Sequence, residues 1–310
     1  MKLQEMLGVK YPFIQGGMAN IATGEFAAAV SEAGGLGLIG SGGMSVSDLE
    51  KNIDIAKSLT DKPFGVNLML LHPDVDKMAE LLIEKKIPLV TTGAGNPAKY
   101  IADWKASGIM VIPVVPNPTL GVRMERLGAD AVIAEGMEAG GHIGHMTTMT
   151  LLPQIVKRVN IPVIAAGGIA SGIQMLACEI MGAIGFQIGT AFLATKECPI
   201  HQAYKDRVIK ATDTNVTIIG MNSGIPIRLL RNEMTRQYTE KECLGWDKMQ
   251  LEKFTLGALR RAVKEGDVNT GSLMAGLTAA QINEEKTVSE FMEGLYNDYL
   301  KEKEKLKNEY

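Results

Sequence analysis

Eight short, nearly continuous apolar runs mark the first two thirds of this 310-residue chain, and they restrict its fold more than any other feature. They are Pro12–Gln15, Leu36–Ile39, Phe64–Leu68, Leu89–Thr92, Val111–Val115, Ala131–Ala134, Val163–Ala166 and Gly185–Ile188. A strand with one wet face alternates apolar and polar residues. A strand that is apolar throughout is buried on both faces, as in a parallel sheet covered by helices. Between the runs, residues 23–32, 46–58, 75–86, 97–107, 119–127, 151–159 and 171–181 place apolar side chains at three- and four-residue steps, the period of an amphipathic helix. Thr23 and Ser171 stand where helix N-caps belong, and Gly34, Gly108, Gly128 and Gly182 where helices end. The runs begin 20 to 32 residues apart, and eight such units count out to a closed (β/α)8 TIM barrel of the α/β class. A doubly wound open sheet would use the same units. Its GxGxxG fingerprint occurs at Gly35–Gly40, but these glycines enclose an apolar run instead of following a strand and opening a helix.

After Thr195 the rhythm changes. Residues 203–210, 225–238 and 248–265 read as helices with no strands between them, and 284–310 as a charged amphipathic helix. The expected organisation is a barrel over 1–199, a helical cap or substrate domain over 200–275, and a C-terminal segment, 276–310, whose helix packs back on the barrel. Lys and Arg number 32 against 35 Asp and Glu, and aromatics are limited to 7 Phe, 7 Tyr and 2 Trp. Neither the basic excess nor the stacking platform of a nucleic-acid binder is present. Cys178, Cys198 and Cys243 lie far apart with no CxxC, which points to a reducing compartment. No apolar stretch approaches the roughly 18 residues of a membrane span, and Met1–Gly8 lacks a signal-peptide core. The expectation is a soluble cytoplasmic protein that engages neither membrane nor nucleic acid.

In a parallel barrel, the loops after the strands gather on one rim and carry function. Five of them are glycine-rich: Gly16-Gly17-Met18-Ala19, Gly40-Ser41-Gly42-Gly43, Gly93-Ala94-Gly95, Gly167-Gly168 and Gly189-Thr190. Glycine lets backbone N–H groups approach an anion, and the last two loops sit where barrels commonly hold phosphate. The densest signal follows the sixth run: Glu135-Gly136-Met137-Glu138-Ala139-Gly140-Gly141-His142-Ile143-Gly144-His145. His142, on the rim after two glycines, is the candidate for proton exchange. His145 reads as solvent-facing or supporting, and His72 and His201 as structural. No third ligand stands at a metal-binding spacing from His142 and His145, so no metal site is expected.

Ile14-Gln15-Gly16-Gly17-Met18, Asp61–Asn67, Thr92–Pro97, Glu135–Gly144 and Ala165–Ala170 together resemble the flavin-dependent enoyl-acyl carrier protein reductase II (FabK-like) family, sister to the nitronate monooxygenases, formerly 2-nitropropane dioxygenases. The resemblance covers almost the whole chain. It implies an FMN-containing TIM barrel that uses NADH or NADPH to reduce a trans-2-enoyl-acyl carrier protein in fatty acid biosynthesis. The alternative it implies is oxidation of alkyl nitronates with oxygen. Carried over by position, Gly17, Met18, Ala19, Asn67, Glu135, Gly140, Gly141, Gly167, Gly168, Gln187, Gly189 and Thr190 would line the FMN, and His142 would be the catalytic histidine. Phe186 and Ala191 depart from the family pattern, which carries a valine and an arginine there. Glu135 and Glu138 are expected to favour a protonated His142. Arg228, Arg231 and Arg236 are expected to form a helical docking face for the carrier protein. A homodimer is compatible with the resemblance.

Overall fold

The computed structural model describes residues 2–309. Eleven strands form, numbered here in chain order: β1 (Phe13–Gln15), β2 (Gly37–Gly40), β3 (Phe64–Met69), β4 (Leu89–Gly93), β5 (Met110–Val115), β6 (Val132–Glu135), β7 (Gly141–His142), β8 (Val163–Ala166), β9 (Phe186–Ile188), β10 (Val216–Ile219) and β11 (Ile227–Leu230). Eight of them pair in parallel in the order β1-β9-β8-β6-β5-β4-β3-β2. The ends of that row meet through an Ile14–Leu36 bridge, with Gln15 N–H donating to the Leu36 carbonyl at 2.9 Å and Leu36 N–H to Phe13 at 2.9 Å. The sheet is therefore a closed barrel, and the open-sheet alternative falls.

Alternation along each strand divides the core in two. Ile14, Leu38, Leu89, Ile112, Ile133 and Ile164 fill the barrel's interior, with Leu3 and Leu7 of the N-terminal helix packed against them. Their neighbours along the strands, such as Phe13, Val66, Val90, Val132 and Phe186, pack outward among the helices. The helices start and stop where side-chain chemistry says they should. Thr23 accepts the Phe26 N–H, Ser45 and Asp48 form a capping box, and Asn117 accepts the Leu120 N–H ahead of Pro118. Gly34, Gly108, Gly128 and Gly182 take φ of +77° to +100° at the ends, which a side chain would resist.

Residues 200–275 differ from the all-helical expectation. The helices Gln202–Ile209, Glu233–Cys243 and Lys248–Thr255 are present, but β10 and β11 form an antiparallel pair, and β11 also pairs with β7 of the barrel rim. The helix expected from residue 225 begins only at Glu233, capped by Asn232. Pro226 disfavours helical backbone before it, and Ile227–Leu230 gain a ladder on each side. The long helix expected over 248–265 breaks at Gly257, φ +72°, and resumes as Ala258–Arg260 and a π-helical turn at Arg261–Glu265. The C-terminal helix, Val288–Glu309, lies against the Gly172–Ile180 helix. Asp298 accepts the Gly172 N–H at 2.6 Å, while Tyr299 and Lys303 both donate to Glu179. Among the described residues no helix is long and apolar enough to cross a membrane.

Asp298 caps a helix from 126 residues away, so Asp298→Ala should cost about 0.5–2 kcal/mol, the usual value of a lost N-cap. Urea denaturation would measure it, and an unchanged midpoint would show that the Asp298 cap adds nothing to the docking of the C-terminal helix.

Candidate active site

The loops after β1, β2, β4, β6, β8 and β9 enclose a bowl of about 460 Å3 at the C-terminal rim of the barrel, well inside the usual size range of small-molecule sites. Gly17, Met18, Ala19, Asn67, Glu135, Gly140, Gly141, His142, Gly167, Gly168, Gln187, Gly189 and Thr190 all line it. The folded chain thus brings His142 and every residue carried over for the cofactor to one place. It also adds residues that sequence reasoning missed. Met69, Ile143 and Leu193 join from the barrel, and Leu259, Met274 and Thr278 form the wall contributed by the C-terminal part of the chain.

The bowl's floor is the polar top layer of the barrel interior. Asn67 donates to the Gly17 carbonyl at 3.2 Å and accepts from Thr91 at 2.9 Å, which fixes the first glycine loop over β3. The Gln187 amide is 8% exposed, and its Oε1 has no donor. Among the described residues Glu135 has no hydrogen-bond partner either, and burial pushes its carboxyl up to about 7. No Lys or Arg lines the bowl, so nothing there stabilises an ionised Glu135.

Around the loop after β6, four segments are tied together. Both carboxylate oxygens of Glu138 accept the Thr148 N–H, at 2.9 and 3.0 Å, at the start of the Thr148–Val156 helix. The Thr148 hydroxyl lies 3.0 Å from the same carboxylate and 2.9 Å from the Gly167 carbonyl, bridging the two loops. The Glu138 carbonyl accepts from Leu277, and Thr190 Oγ1 accepts from Gly276 N at 2.9 Å. These contacts are close enough that Gly140 admits no side chain: a Cβ would fall 2.7 Å from the Ala275 carbonyl carbon.

Gly189 is different. Its φ is −110°, open to any residue, and a Cβ there would have only the Met18 sulfur within 4 Å, at 3.7 Å. The missing side chain leaves room in the bowl. Gly167 and Gly168, at φ +87° and +79°, turn the neighbouring loop in a way that side chains resist. Thr190 opens the short 3-10 helix Thr190–Ala194, so this corner has the bare backbone and helix start that suit a phosphate.

His142 stands on β7, exposed to the bowl. Crowding beneath the cap costs it hydration and lowers its pKa below the ordinary histidine value, and the opposing charge is Glu252 on the Lys248–Thr255 helix. The expectation that Glu135 and Glu138 would hold His142 protonated is not met. Glu135 is itself driven towards the neutral form, and Glu138 is committed to Thr148. That crowding favours the neutral imidazole. His145 is exposed, His72 accepts the Asp74 N–H, and His201 caps the Gln202–Ile209 helix. The arginine docking face does not form. Arg228 is 5% exposed on β11, Arg236 is paired with Glu233 and Glu240, and only Arg231 of the three stands exposed and free of an acidic partner.

A closed parallel barrel with a cofactor-sized bowl and a rim histidine defines a TIM-barrel enzyme, and comparison with known proteins places it among oxidoreductases. The chain belongs to the nitronate monooxygenase family, whose model matches residues 1–86 and 74–298. It is similar to FabK from Thermotoga maritima, at 46% identity and a TM-score of 0.96 over 99% of this chain and 98% of that one. A probable nitronate monooxygenase of Staphylococcus saprophyticus is 33% identical over 87% of this chain and 90% of its own. A hydroxy-methyl-oxo-octahydroindene-carboxyl-CoA dehydrogenase of Rhodococcus jostii is 29% identical over 96% and 95%.

The raised pKa of Glu135 sets a sign for stability. Between the ordinary glutamate value of 4.5 and about 7, the folded chain holds a proton that the unfolded chain has released, so folding is favoured at the acid end of this window. This contribution fades as pH rises to 7, by on the order of 3 kcal/mol. Denaturation midpoints of ligand-free protein across this window should carry that slope in wild type and lose it in Glu135→Gln. Identical pH profiles would show that Glu135 ionises normally.

Proposed function

We propose that this protein is an FMN-dependent enoyl-acyl carrier protein reductase that uses NADH or NADPH, serving fatty acid biosynthesis. The residues fit the cofactor. Gly189 leaves room that a Cβ would fill, Gly167-Gly168 and Thr190 supply a phosphate corner, and Gln187 Oε1 waits for an N–H donor such as a flavin ring offers. Gly17, Met18, Ala19, Asn67, Glu135, Gly140 and Gly141 would form the remaining walls around it. The flavin, when bound, supplies hydride chemistry; the protein supplies binding, orientation and charge stabilisation.

The observation that carries the choice of reaction is the charge of the bowl. Its ionisable lining is Glu135, Glu138 and His142, with no Lys or Arg, beside apolar Met69, Ile143, Leu259 and Met274. A nitronate is an anion and would enter a site with the Glu138 carboxylate and no fixed cation. An enoyl thioester is neutral and apolar along its chain. During its reduction, negative charge develops on the thioester oxygen, where the N–H of a neutral imidazole is a suitable donor. His142 faces the open bowl, so its N–H donates to the enolate oxygen while water reaching the bowl supplies the proton to the α-carbon. The 46% identity to FabK over the whole chain supports the same reading, as does the coenzyme A thioester in the name of the Rhodococcus relative.

Under nitrogen, NADH oxidation should require an enoyl thioester and yield one saturated product per NADH; oxygen-coupled turnover of an alkyl nitronate without nicotinamide would overturn the assignment. His142→Ala should keep its flavin and its reduction by NADH while slowing thioester reduction by about 10²–10⁴, and stopped-flow measurement of the two half-reactions separates these steps. Gly189→Val should leave the melting temperature of flavin-free protein nearly unchanged yet abolish FMN retention, because its side chain fills ligand space and strains nothing else. Retention of FMN by that variant would place the phosphate elsewhere.

A further inference from the structure

Arg228 is the arginine that the sequence offers as a surface group and the fold buries. It is 5% exposed, and its Nε donates to the Met137 carbonyl at 3.0 Å, across 91 residues. Its own backbone lies opposite Gly141 in the β11–β7 ladder, with Ile227 opposite His142, and the Ile143 N–H donates to Pro226. The strand that carries His142 is two residues long and is not part of the barrel sheet. Two glycines precede it, so the loop has little conformational preference of its own. What holds His142 over the bowl is therefore the cap strand on one side and the Glu138–Thr148 contact on the other. Burial disfavours the Arg228 charge, and the charge that compensates it is Glu138.

We propose that Arg228 is a positioning residue for His142: its guanidinium pins Met137 while its strand pins Gly141 and His142, so the cap acts together with the Glu138–Thr148 contact to place the histidine over the barrel rim. Arg228 does not line the bowl, and its guanidinium donates to the Met137 carbonyl, so its effect passes through the backbone. Met137 and Gly141 are the two ends of a five-residue bend, and fixing both leaves Glu138 facing the Thr148 helix and His142 facing the bowl. A lysine would keep the charge opposite Glu138 but not the directed Nε–H contact. The inference rests on the reductase reading only for its kinetic readout.

The test titrates the imidazoles of the full-length protein by NMR. There are four histidines, and His142→Ala identifies the relevant signal. The groups that bear on His142 are Glu252 from the Lys248–Thr255 helix, apolar Ile227 from β11, and Glu135 and Glu138 from its own segment. In wild type, His142 should titrate below the ordinary histidine value. In Arg228→Met, and in Arg228→Lys, which keeps the buried charge should the methionine variant fold poorly, it should move up as the loosened loop hydrates the ring. In the flavin-loaded enzyme, the same variants should reduce enoyl thioester about 10- to 100-fold more slowly, the cost of a small misplacement, with FMN affinity unchanged. An unchanged His142 titration in the folded variants, however far their melting temperature falls, would make Arg228 a merely structural residue and overturn the proposal. Absence of thioester reduction in wild type would overturn the reductase reading and leave the titration result standing.

Discussion

Glu138 sets both carboxylate oxygens on the first backbone N–H of the Thr148–Val156 helix, and the rest of the site is arranged around that contact. A carboxylate at a helix N-terminus satisfies an otherwise unpaired donor and meets the favourable end of the helix dipole. Here it also fixes a glycine-rich loop that could not hold a shape alone. Through Thr148 the contact reaches the Gly167 loop, and through its own carbonyl it reaches Leu277. The barrel brings the strand ends to one rim; this contact decides how the loops stand relative to one another once there. Replacing Glu138 would release the Gly167 loop and the histidine strand together.

Neutrality of the bowl follows from the same construction. Backbone and amide groups line it in place of arginine or lysine, so a ligand phosphate there would meet N–H groups, not cations. Glu135 has neither a donor nor a counter-charge and shifts towards its neutral acid, and crowding does the same to His142 in the opposite sense. Both groups drift towards having no charge because the site offers nothing to compensate one. Such a bowl suits a neutral substrate whose charge appears only as it reacts.

Much of this was legible in the sequence because it depended on local pattern. Strands such as Val163–Ala166 announce themselves by being apolar at every position, and Gly167-Gly168 or Gly140-Gly141-His142 by sitting at strand ends. What was not legible depended on pairing between distant segments. Ile227-Arg228-Leu229-Leu230 runs into a good helix sequence, and only the distant Gly141-His142 edge and β10 make it a strand. Arg228 was noticed for its charge and assigned to the surface, since nothing local says that Met137 lies over it. Leu259 and Met274 carry no motif at all. They become wall residues because the cap folds back, Met274 with its carbonyl held by the buried Tyr204 hydroxyl at 2.7 Å.

The central claim is that a backbone cradle with no cationic side chain holds the phosphate of the cofactor. Equilibrium binding of FMN and of riboflavin to the flavin-free protein tests it most directly, because the two ligands differ only in that phosphate. Two charge-assisted backbone hydrogen bonds should favour FMN by at least about 100-fold. Equal affinity for the two flavins would mean that the glycine corner at Gly167, Gly168, Gly189 and Thr190 holds no phosphate, and the account of the site would fail.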